Sequence, residues 1–274
     1  PEFISYYCFI LAEWCQNNIN VSGFASVDMS AFKTFLFPIP PIIVQREIVH
    51  ILDKMTELER ELEAELEARI LQYEHYRANL LDFSSDAPDP TRTPHLTHLL
   101  QTLCPDGVEY FELEKVITSL KTGLNPRKNF QLNTPDADNY YVTVRELSDN
   151  KVRFFDKTDK VNDYALKLIN NRSNLEINDI LFSGTGTVGR TALVESEPKN
   201  WDIKEGVYVI KPKLELIRPK FLLYILNSRS IVKNYEKRIV GSPVISLPMG
   251  DLRKQIIPVP PLPIQEEIVA ILDR

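Results

Sequence analysis

The chain contains one segment twice, at positions 220 residues apart. Residues 29–54 read MSAFKTFLFPIPPIIVQREIVHILDK and residues 249–274 read MGDLRKQIIPVPPLPIQEEIVAILDR, with 11 of 26 positions identical. The similarity continues upstream, after a two-residue slip, in PEFISY (1–6) and PKFLLY (219–224). Solenoid repeats are about 20–50 residues long. A period of this length therefore predicts two copies of a unit that consists of a domain and the helix after it.

Length and composition are typical of a globular protein. The 274 residues, 43% of them apolar, suffice for roughly two domains. No apolar run reaches about 18 residues, and no basic stretch precedes the first apolar segment, so we expect a soluble, cytoplasmic protein without membrane contact. The widely spaced Cys8, Cys15 and Cys104 predict reduced thiols rather than disulfides or a thiolate zinc site.

The net charge of −6 is unevenly distributed. Residues 42–90 carry 12 acidic and 5 basic side chains, whereas residues 104–248 carry 19 acidic and 22 basic ones. The acidic excess belongs to the first of these segments. The overall charge therefore says little about the partners of residues 104–248.

Residues 42–82 are predicted to form one long helix, because apolar residues recur every three or four positions without Gly or Pro between them. Pro40 and Pro41 precede it, and proline suits a first helical turn. About 40 residues at 1.5 Å each form a rod of roughly 60 Å. Its apolar stripe is too narrow to bury itself and predicts a partner helix, for which PPLPIQEEIVAILDR at the second copy is a candidate.

The rest of the chain is predicted to be mixed α/β (α+β). Asp, Ser and Pro in residues 83–103 indicate a linker that ends in a short helix. His95 and His98 lie in it, but no cluster of Cys or carboxylates accompanies them, so no metal site is expected. Strands of a twisted sheet are predicted at 139–147, 151–155, 178–184, 190–196 and 206–212, with a hairpin turn at Asp149-Asn150 and a helix at 218–237.

The segment Gly184-Thr-Gly-Thr-Val-Gly189 matches the GxGxxG pattern of dinucleotide-binding sites. In such sites the loop opens a helix whose N-terminus faces the pyrophosphate. Here Arg190-Thr-Ala-Leu-Val continues as strand, so the pattern predicts a glycine-rich hairpin. That hairpin would present Thr185, Thr187 and Arg190 where backbone can approach a phosphate closely.

Motifs for DNA chemistry are incomplete. Pro105-Asp106 followed by Glu112-Leu-Glu114-Lys115 resembles the PD…(D/E)xK pattern of nucleases, but Leu113 stands where a second metal ligand is needed. The two Pro-Pro pairs lack the flanking residues of an amino-methyltransferase motif. The sequence therefore predicts no nuclease site and no methyl-transfer site, and no catalytic residues are identified.

Basic and polar residues suggest a DNA-binding surface, because Arg and Lys contact phosphate or guanine and Asn reads adenine. Three cations fall within eight residues of the loop SLKTGLNPRKNF (119–130). Charge alone is equally compatible with an ordinary solvated surface. The candidate contact residues are Lys121, Thr122, Asn125, Arg127, Lys128, Arg145, Arg172, Thr185, Thr187 and Arg190. Replacing Arg127, Lys128 or Arg145 by Ala is expected to weaken DNA binding.

The chain resembles the specificity (S) subunits of type I restriction-modification systems. PIPPIIVQREIVHILDK and PVPPLPIQEEIVAILDR look like the family signature P.PP..EQ..I...LD, with Val44 or Ile264 where the family often has Glu. CPDGVEYFELEKV (104–116) is similar to the segment that opens the second recognition domain, and NDILFSGTGTVGRTALV looks like its β-hairpin.

The resemblance implies a non-catalytic subunit that reads double-stranded DNA and binds modification and restriction subunits. S-adenosylmethionine is expected on the modification subunit, and no cofactor on this chain. Residues 1–41 would be the tail of a first target recognition domain and 42–82 the spacer helix. Residues 83–103 would be a linker, 104–261 a second recognition domain and 262–274 the start of the second conserved helix, antiparallel to the first or to a partner. Most of the first recognition domain would then be missing, and two copies could pair through residues 42–82.

Two other interpretations stay open. The chain could be a coiled-coil interaction scaffold or degenerate fragment that no longer binds DNA. Alternatively, residues 184–189 could serve a nucleotide-dependent enzyme, for which we expect no thermal shift with NAD or ATP. A DNA-binding assay with and without modification subunits separates the first two interpretations.

Overall fold

The computed structural model of the chain describes residues 2–20, 26–83 and 91–274. Compactness divides the chain into two units, Pro1–Tyr73 and Glu74–Arg274. Part of the predicted linker 83–103 lies outside the described residues, as do six positions of the predicted 1–41 segment, residues 1 and 21–25. The helical end of that linker is present as residues Pro94–Leu103.

Ten α-helices are found in the described residues. They are α1 (Glu2–Asn17), α2 (Met29–Phe32), α3 (Ile42–Leu80), α4 (Pro94–Leu103), α5 (Leu113–Val116), α6 (Asp163–Ser173), α7 (Pro219–Leu226), α8 (Arg229–Glu236), α9 (Met249–Arg253) and α10 (Leu262–Leu272). A 3-10 helix spans Val144–Glu146. The long helix predicted for residues 42–82 is confirmed as α3.

The described strands are short. They are β1 (Ile19–Asn20), β2 (Ser26–Val27), β3 (Tyr110–Glu112), β4 (Ile117–Thr122), β5 (Asn139–Val142), β6 (Leu147–Ser148), β7 (Lys151–Val152), β8 (Lys160–Val161), β9 (Ile180–Ser183), β10 (Thr191–Leu193), β11 (Trp201–Ile203), β12 (Val207–Pro212) and β13 (Ile256–Pro258). The mixed α/β fold class with a long helix is thereby confirmed.

In the first unit, aromatic rings pack α1 against the segment before α3. The ring of Tyr7 lies 4.6 Å from that of Phe37, and the ring of Trp14 lies 5.3 Å from that of Phe35. Strands β1 and β2 are antiparallel, and Asn20 is opposite Ser26. Aromatic pairs of this kind contribute about 0.5–1.5 kcal/mol beyond the area they bury.

The second unit contains two sheets of three or four strands and two smaller pairings, β13 with β3 and β6 with β7. The larger is antiparallel in the order β10-β9-β12-β4, and the smaller has the order β11-β5-β8, with β11 parallel to β5. The main core of the second unit joins the larger sheet to α7 and α10 through residues such as Phe182, Phe221 and Ile264, which are fully buried. The end of α3 enters the same core at Leu80. Helix α10 contacts α4 and α7, and its pairing with a long helix stays a prediction.

Two predicted elements are interrupted. The strand predicted at 139–147 ends at Val142, because the Thr143 side chain caps the 3-10 helix and the buried Glu146 carboxylate accepts hydrogen bonds from the backbone and hydroxyl of Thr143. The helix predicted at 218–237 is two helices, α7 and α8. Asn227 separates them, and its side-chain amide donates to the Thr191 hydroxyl at 2.7 Å. Both interruptions depend on polar contacts that hydrophobic periodicity does not reveal.

The remaining strand predictions are confirmed for residues 178–184, 190–196 and 206–212, with shorter strands than expected. The hairpin turn between β6 and β7 is also confirmed. Asp149 and Asn150 adopt φ values of +51° and +60°, the left-handed pair that a two-residue hairpin turn requires. Lys151–Val152 is the short strand that follows the turn.

Candidate nucleic-acid interface

One edge of the larger sheet gathers several loops. Thr122 of β4 is opposite Tyr208 of β12, which is in turn opposite Phe182 of β9. The end of β4, the start of β12 and the end of β9 therefore lie side by side. We call this the loop edge: it comprises the segment after β4 (123–138), the β9-β10 loop (184–190) and the β11-β12 turn (204–206).

The GxGxxG segment closes a hairpin on the loop edge, as predicted. Strands β9 and β10 are antiparallel neighbours, the Gly189 amide donates to the Ser183 carbonyl at 2.9 Å, and the Ser183 hydroxyl donates to the Thr187 carbonyl at 2.6 Å. A side chain at Gly184 would clash with the Tyr208 ring, which packs against its backbone. No helix starts at this loop, so the arrangement required for a dinucleotide site is not formed.

Thr187 and Arg190 of the glycine hairpin are exposed. The Arg190 guanidinium donates to the Val144 carbonyl at 3.3 Å, which places it beside the 3-10 helix that carries Arg145. Thr185 lies 3.4 Å, oxygen to oxygen, from the Ser246 hydroxyl. The hairpin thus links two other segments of the domain.

The segment after β4 carries two cations without internal partners. Arg127 and Lys128 are exposed, and neither side chain makes an ion pair or hydrogen bond within the described parts of the chain. The side-chain amide of Asn129 stabilises the turn by donating a hydrogen bond to the Asn125 carbonyl at 2.9 Å. Buried Tyr141 donates its hydroxyl to the Leu124 carbonyl at 2.8 Å. Two positive charges are therefore displayed on an anchored turn.

Other candidate residues are engaged internally. Arg145 pairs with Asp159 at 3.1 Å. Glu205 in the β11-β12 turn pairs with Arg172 at 3.8 Å and accepts a 2.7 Å hydrogen bond from the Asn125 side chain. These contacts bring Asn125 and Arg172 together across the loop edge, but they also neutralise part of its charge.

Four candidate residues lie in regular secondary structure rather than on loops. Arg145 lies in the 3-10 helix Val144–Glu146. Lys121 and Thr122 end strand β4, and Arg172 lies in the last turn of α6. The Thr122 hydroxyl donates to the Val207 carbonyl at 3.1 Å and accepts from the Gly206 amide, so it ties two strands together. The charge of Lys121, after the stronger effect of Lys211, helps to lower the pKa of Glu176.

Sequence reasoning missed a second hairpin at the loop edge, formed by residues 240–246. It bridges Thr185 to Ser246 and has three exposed aliphatic residues, Val240, Val244 and Ile245. The sequence signal that could have identified this hairpin is its position just upstream of the second copy of the repeated segment, residues 249–274.

Sequence reasoning also missed an exposed aromatic group. Phe154 stacks on Tyr140 with ring centroids 4.3 Å apart and lies 6.1 Å from Trp201. Phe154, Phe155, Arg145 and Lys157 line a shallow depression of about 650 Å³.

Within the described residues, no group of three or more His, Cys, Asp or Glu side chains could hold a metal ion. Among those same residues, no helix combines the length and apolar character needed to cross a membrane.

Fold and loop edge define a class of protein: an α+β domain that displays cationic loops at one sheet edge and is joined to long helical segments. The family described as the type I restriction modification DNA specificity domain matches residues 1–72 and 105–274. The chain belongs to this family, which confirms the resemblance drawn from its repeated segments.

Individual proteins agree with this assignment. The chain is 48% identical over 102 residues to the specificity subunit of the type I restriction enzyme EcoprrI of Escherichia coli, covering 33% of this chain and 25% of that one. A chain from a structure concerned with complex assembly and conformational transition of the type I R-M system has a TM-score of 0.64, at 20% identity over 100% of this chain and 62% of its own.

The S subunit of a type I restriction-modification system from M. genitalium has a TM-score of 0.54, at 17% identity over 99% of this chain and 65% of its own. At these identities the two structures establish the fold. The chain spans a quarter of the Escherichia coli relative and less than two thirds of either solved chain.

Proposed function

We propose that this chain is a sequence-specific DNA recognition subunit of a type I restriction-modification complex. It reads double-stranded DNA through the domain at residues 104–261 and uses the long helix as a spacer. Adenine methylation and restriction are carried out by partner subunits, and S-adenosylmethionine is bound by the modification subunit. The chain itself is non-catalytic and needs no cofactor.

The observation that carries the proposal is the loop edge. A glycine hairpin lets backbone approach a phosphate closely. Arg127 and Lys128 are exposed at the same edge and make no ion pair or hydrogen bond with any residue that the structure describes. Lys and Arg contacts to phosphate supply much of the affinity of DNA-binding proteins. Family membership adds independent support.

The partners are proposed from the long helix. Its Leu58, Leu62, Leu66 and Ile70 recur every four residues and are all exposed. Burying such a stripe requires another helix, which modification subunits or a second copy of the chain would supply. A single 31.6 kDa species in sedimentation at micromolar concentration would exclude the homodimer.

The test is selection from a random duplex library by the chain assembled with its modification subunits. Enrichment of one sequence, with affinity that falls steeply with salt, is expected. The Arg127→Ala, Lys128→Ala double variant should bind the selected duplex more weakly, and Lys199→Ala, which changes an exposed lysine paired with Glu197, serves as the matched control. No enrichment would reject the proposal.

The scaffold interpretation is the second candidate. It is favoured by the internal pairing of Arg145 and Arg172, which leaves fewer charges for DNA. A scaffold would bind modification subunits through the exposed stripe and yet enrich no sequence in the same selection.

A further inference from the structure

The hairpin at residues 240–246 and the glycine hairpin form one body, which we call the double hairpin. Val240 and Ser246 exchange backbone hydrogen bonds of 2.8 and 2.7 Å within the first of these hairpins. The Gly186 amide donates to the Ile245 carbonyl, and the Leu247 amide to the Gly184 carbonyl, both at 2.9 Å. The two loops therefore hold each other in place by main-chain bonds.

The double hairpin is anchored to the sheet. The buried Tyr208 hydroxyl donates to the Leu247 carbonyl at 2.8 Å. Gly241 adopts φ +101°, and a side chain there would clash with the Val244 carbonyl, so the turn can close tightly only with glycine. A rigid ribbon of this kind loses little conformational freedom when it binds.

Three exposed side chains of the hairpin are aliphatic: Val240 in the pair at its base, and Val244 and Ile245 in its turn. Val244 is 61% exposed, Val240 54% and Ile245 40%. β-branched aliphatic side chains are usually buried. They lose little rotamer freedom on binding, because their χ1 angle is already restricted. Exposure of three of them on an anchored turn suggests that a partner contacts them.

The same backbone pairing occurs in the first unit. Asn20 is opposite Ser26 as Val240 is opposite Ser246, 220 positions later. The sequences between the paired residues differ, VSGFA in one copy and GSPVI in the other.

DNA is the partner that fits this position best. The hairpin is bonded to the loop that carries Arg190, and the loop edge also displays Arg127 and Lys128. The major groove admits a two-stranded β-ribbon, and apolar side chains there contact the 5-methyl group of thymine.

We propose that Val244 and Ile245 contact thymine methyl groups in the major groove and are specificity-determining residues. The proposal rests on the proposed function of the chain. The new proposal goes further than the proposed function, because it names the chemical group on the DNA that is recognised and the two aliphatic side chains that recognise this group.

The experiment uses the chain assembled with its modification subunits and the duplex selected above. Each thymine is replaced in turn by uracil, which removes only the 5-methyl group. The native complex is expected to lose affinity about fourfold at one or more positions, as for the loss of one buried methyl. Val244→Ala or Ile245→Ala should abolish the thymine preference at the matching position, so that the variant binds the thymine and uracil duplexes equally.

Ile177→Ala is the matched control, since Ile177 is an exposed aliphatic residue before β9, at the opposite edge of the sheet. A 5-bromouracil photocrosslink at the sensitive position should map to the peptide that contains residues 240–246, a readout that requires no folded variant.

The outcomes are distinct. Binding to the selected site without any uracil effect, a selected site without thymine, or a uracil effect that persists in both variants would overturn this proposal and leave DNA recognition standing. Loss of modification-subunit binding in the variants would identify the hairpin as a protein contact. Failure of the native complex to enrich any duplex would overturn both proposals.

Discussion

Tyr224 donates its hydroxyl hydrogen to the Asp273 carboxylate at 2.6 Å, and Tyr6 makes the same bond to Asp53, also at 2.6 Å. These residues are the matching positions of the duplicated segment. Gln45 and Gln265 likewise donate to the carbonyls of Pro40 and Pro260, each at 2.7 Å. The two copies therefore build the same junction between a domain helix and the helix that starts at the Pro-Pro pair.

Removal of the Tyr224 hydroxyl should destabilise this junction. Hydrogen bonds to charged groups contribute about 1.5–3 kcal/mol when shielded, and partial exposure lowers the expected loss for Tyr224→Phe to about 1 kcal/mol. Urea unfolding of the chain measures it. Tyr164→Phe, at an exposed tyrosine, is the control and should be neutral; equal losses in the two variants would contradict the role of the bond.

The stability of the second unit should depend on pH through Asp202. Burial raises the pKa of Asp202 to about 6, although the Ile203 amide and the Ser173 hydroxyl donate hydrogen bonds to its carboxylate. The ordinary value is about 3.9. Ionisation of the Asp202 carboxyl therefore destabilises the folded state. The stability that the protonated carboxyl contributes is lost as pH rises from about 4 to 6.

Asp202→Asn should remove this dependence. The difference in free energy of unfolding, variant minus native chain, is expected to rise by about 2 kcal/mol between pH 4 and pH 7.5. Chemical denaturation at both pH values measures the difference. Asp156→Asn, at an exposed carboxylate, should show no such trend, and a parallel trend in both variants would rule Asp202 out as the cause.

The unpaired and paired cations should differ in their effect on DNA binding. Arg127→Ala and Lys128→Ala should each reduce the slope of log affinity against log salt by about 0.9, if each side chain contacts one phosphate. Arg172→Ala should change it little because its guanidinium already pairs with Glu205. Arg145→Ala should have a smaller effect than predicted from sequence, since Asp159 holds its guanidinium.

Fluorescence anisotropy of a labelled selected duplex across a salt series gives these slopes. Equal slopes for all four variants and the native chain would place the phosphate contacts elsewhere.

The exposed stripe of α3 should matter for assembly rather than for folding. Leu62 and Leu66 are 69% and 60% exposed, so Leu62→Glu combined with Leu66→Glu should leave the urea midpoint unchanged and prevent association with a partner helix. Sedimentation velocity with and without modification subunits tests this. Glu61→Gln, on the charged side of the helix, should assemble normally, whereas unaltered assembly of the double variant would exclude the stripe.

Local patterns predicted much of the fold correctly. The spacing of apolar residues predicted one helix over residues 42–82, which the structure shows as Ile42–Leu80, and Asp149-Asn150 marked a hairpin turn. The strand after Gly189 distinguished a hairpin from a dinucleotide loop. Each of these features is fixed by interactions between residues close in sequence, so a single sequence contains the necessary information.

The candidate site was less predictable. Sequence identified Arg127 and Lys128 as cations on a loop, but it did not reveal that Glu205 would engage Arg172 and Asn125. It also missed the hairpin at 240–246, whose contact with Gly184 and Gly186 joins positions about 60 residues apart. Distance in the sequence gives no sign of such contacts.

The sequence by itself determined the duplicated plan of the chain, the long helix and the glycine hairpin, because repetition, apolar period and turn residues are local properties. Only the tertiary structure decided which charges stay free, where Asn227 divides a helix, and which two hairpins become one body. Those outcomes depend on hydrogen bonds and ion pairs between segments that meet only once the sheet has formed. The physical reason is that a buried polar side chain forms its hydrogen bond with a group that tertiary folding places next to it. The residues next to it in the sequence do not specify which group that is.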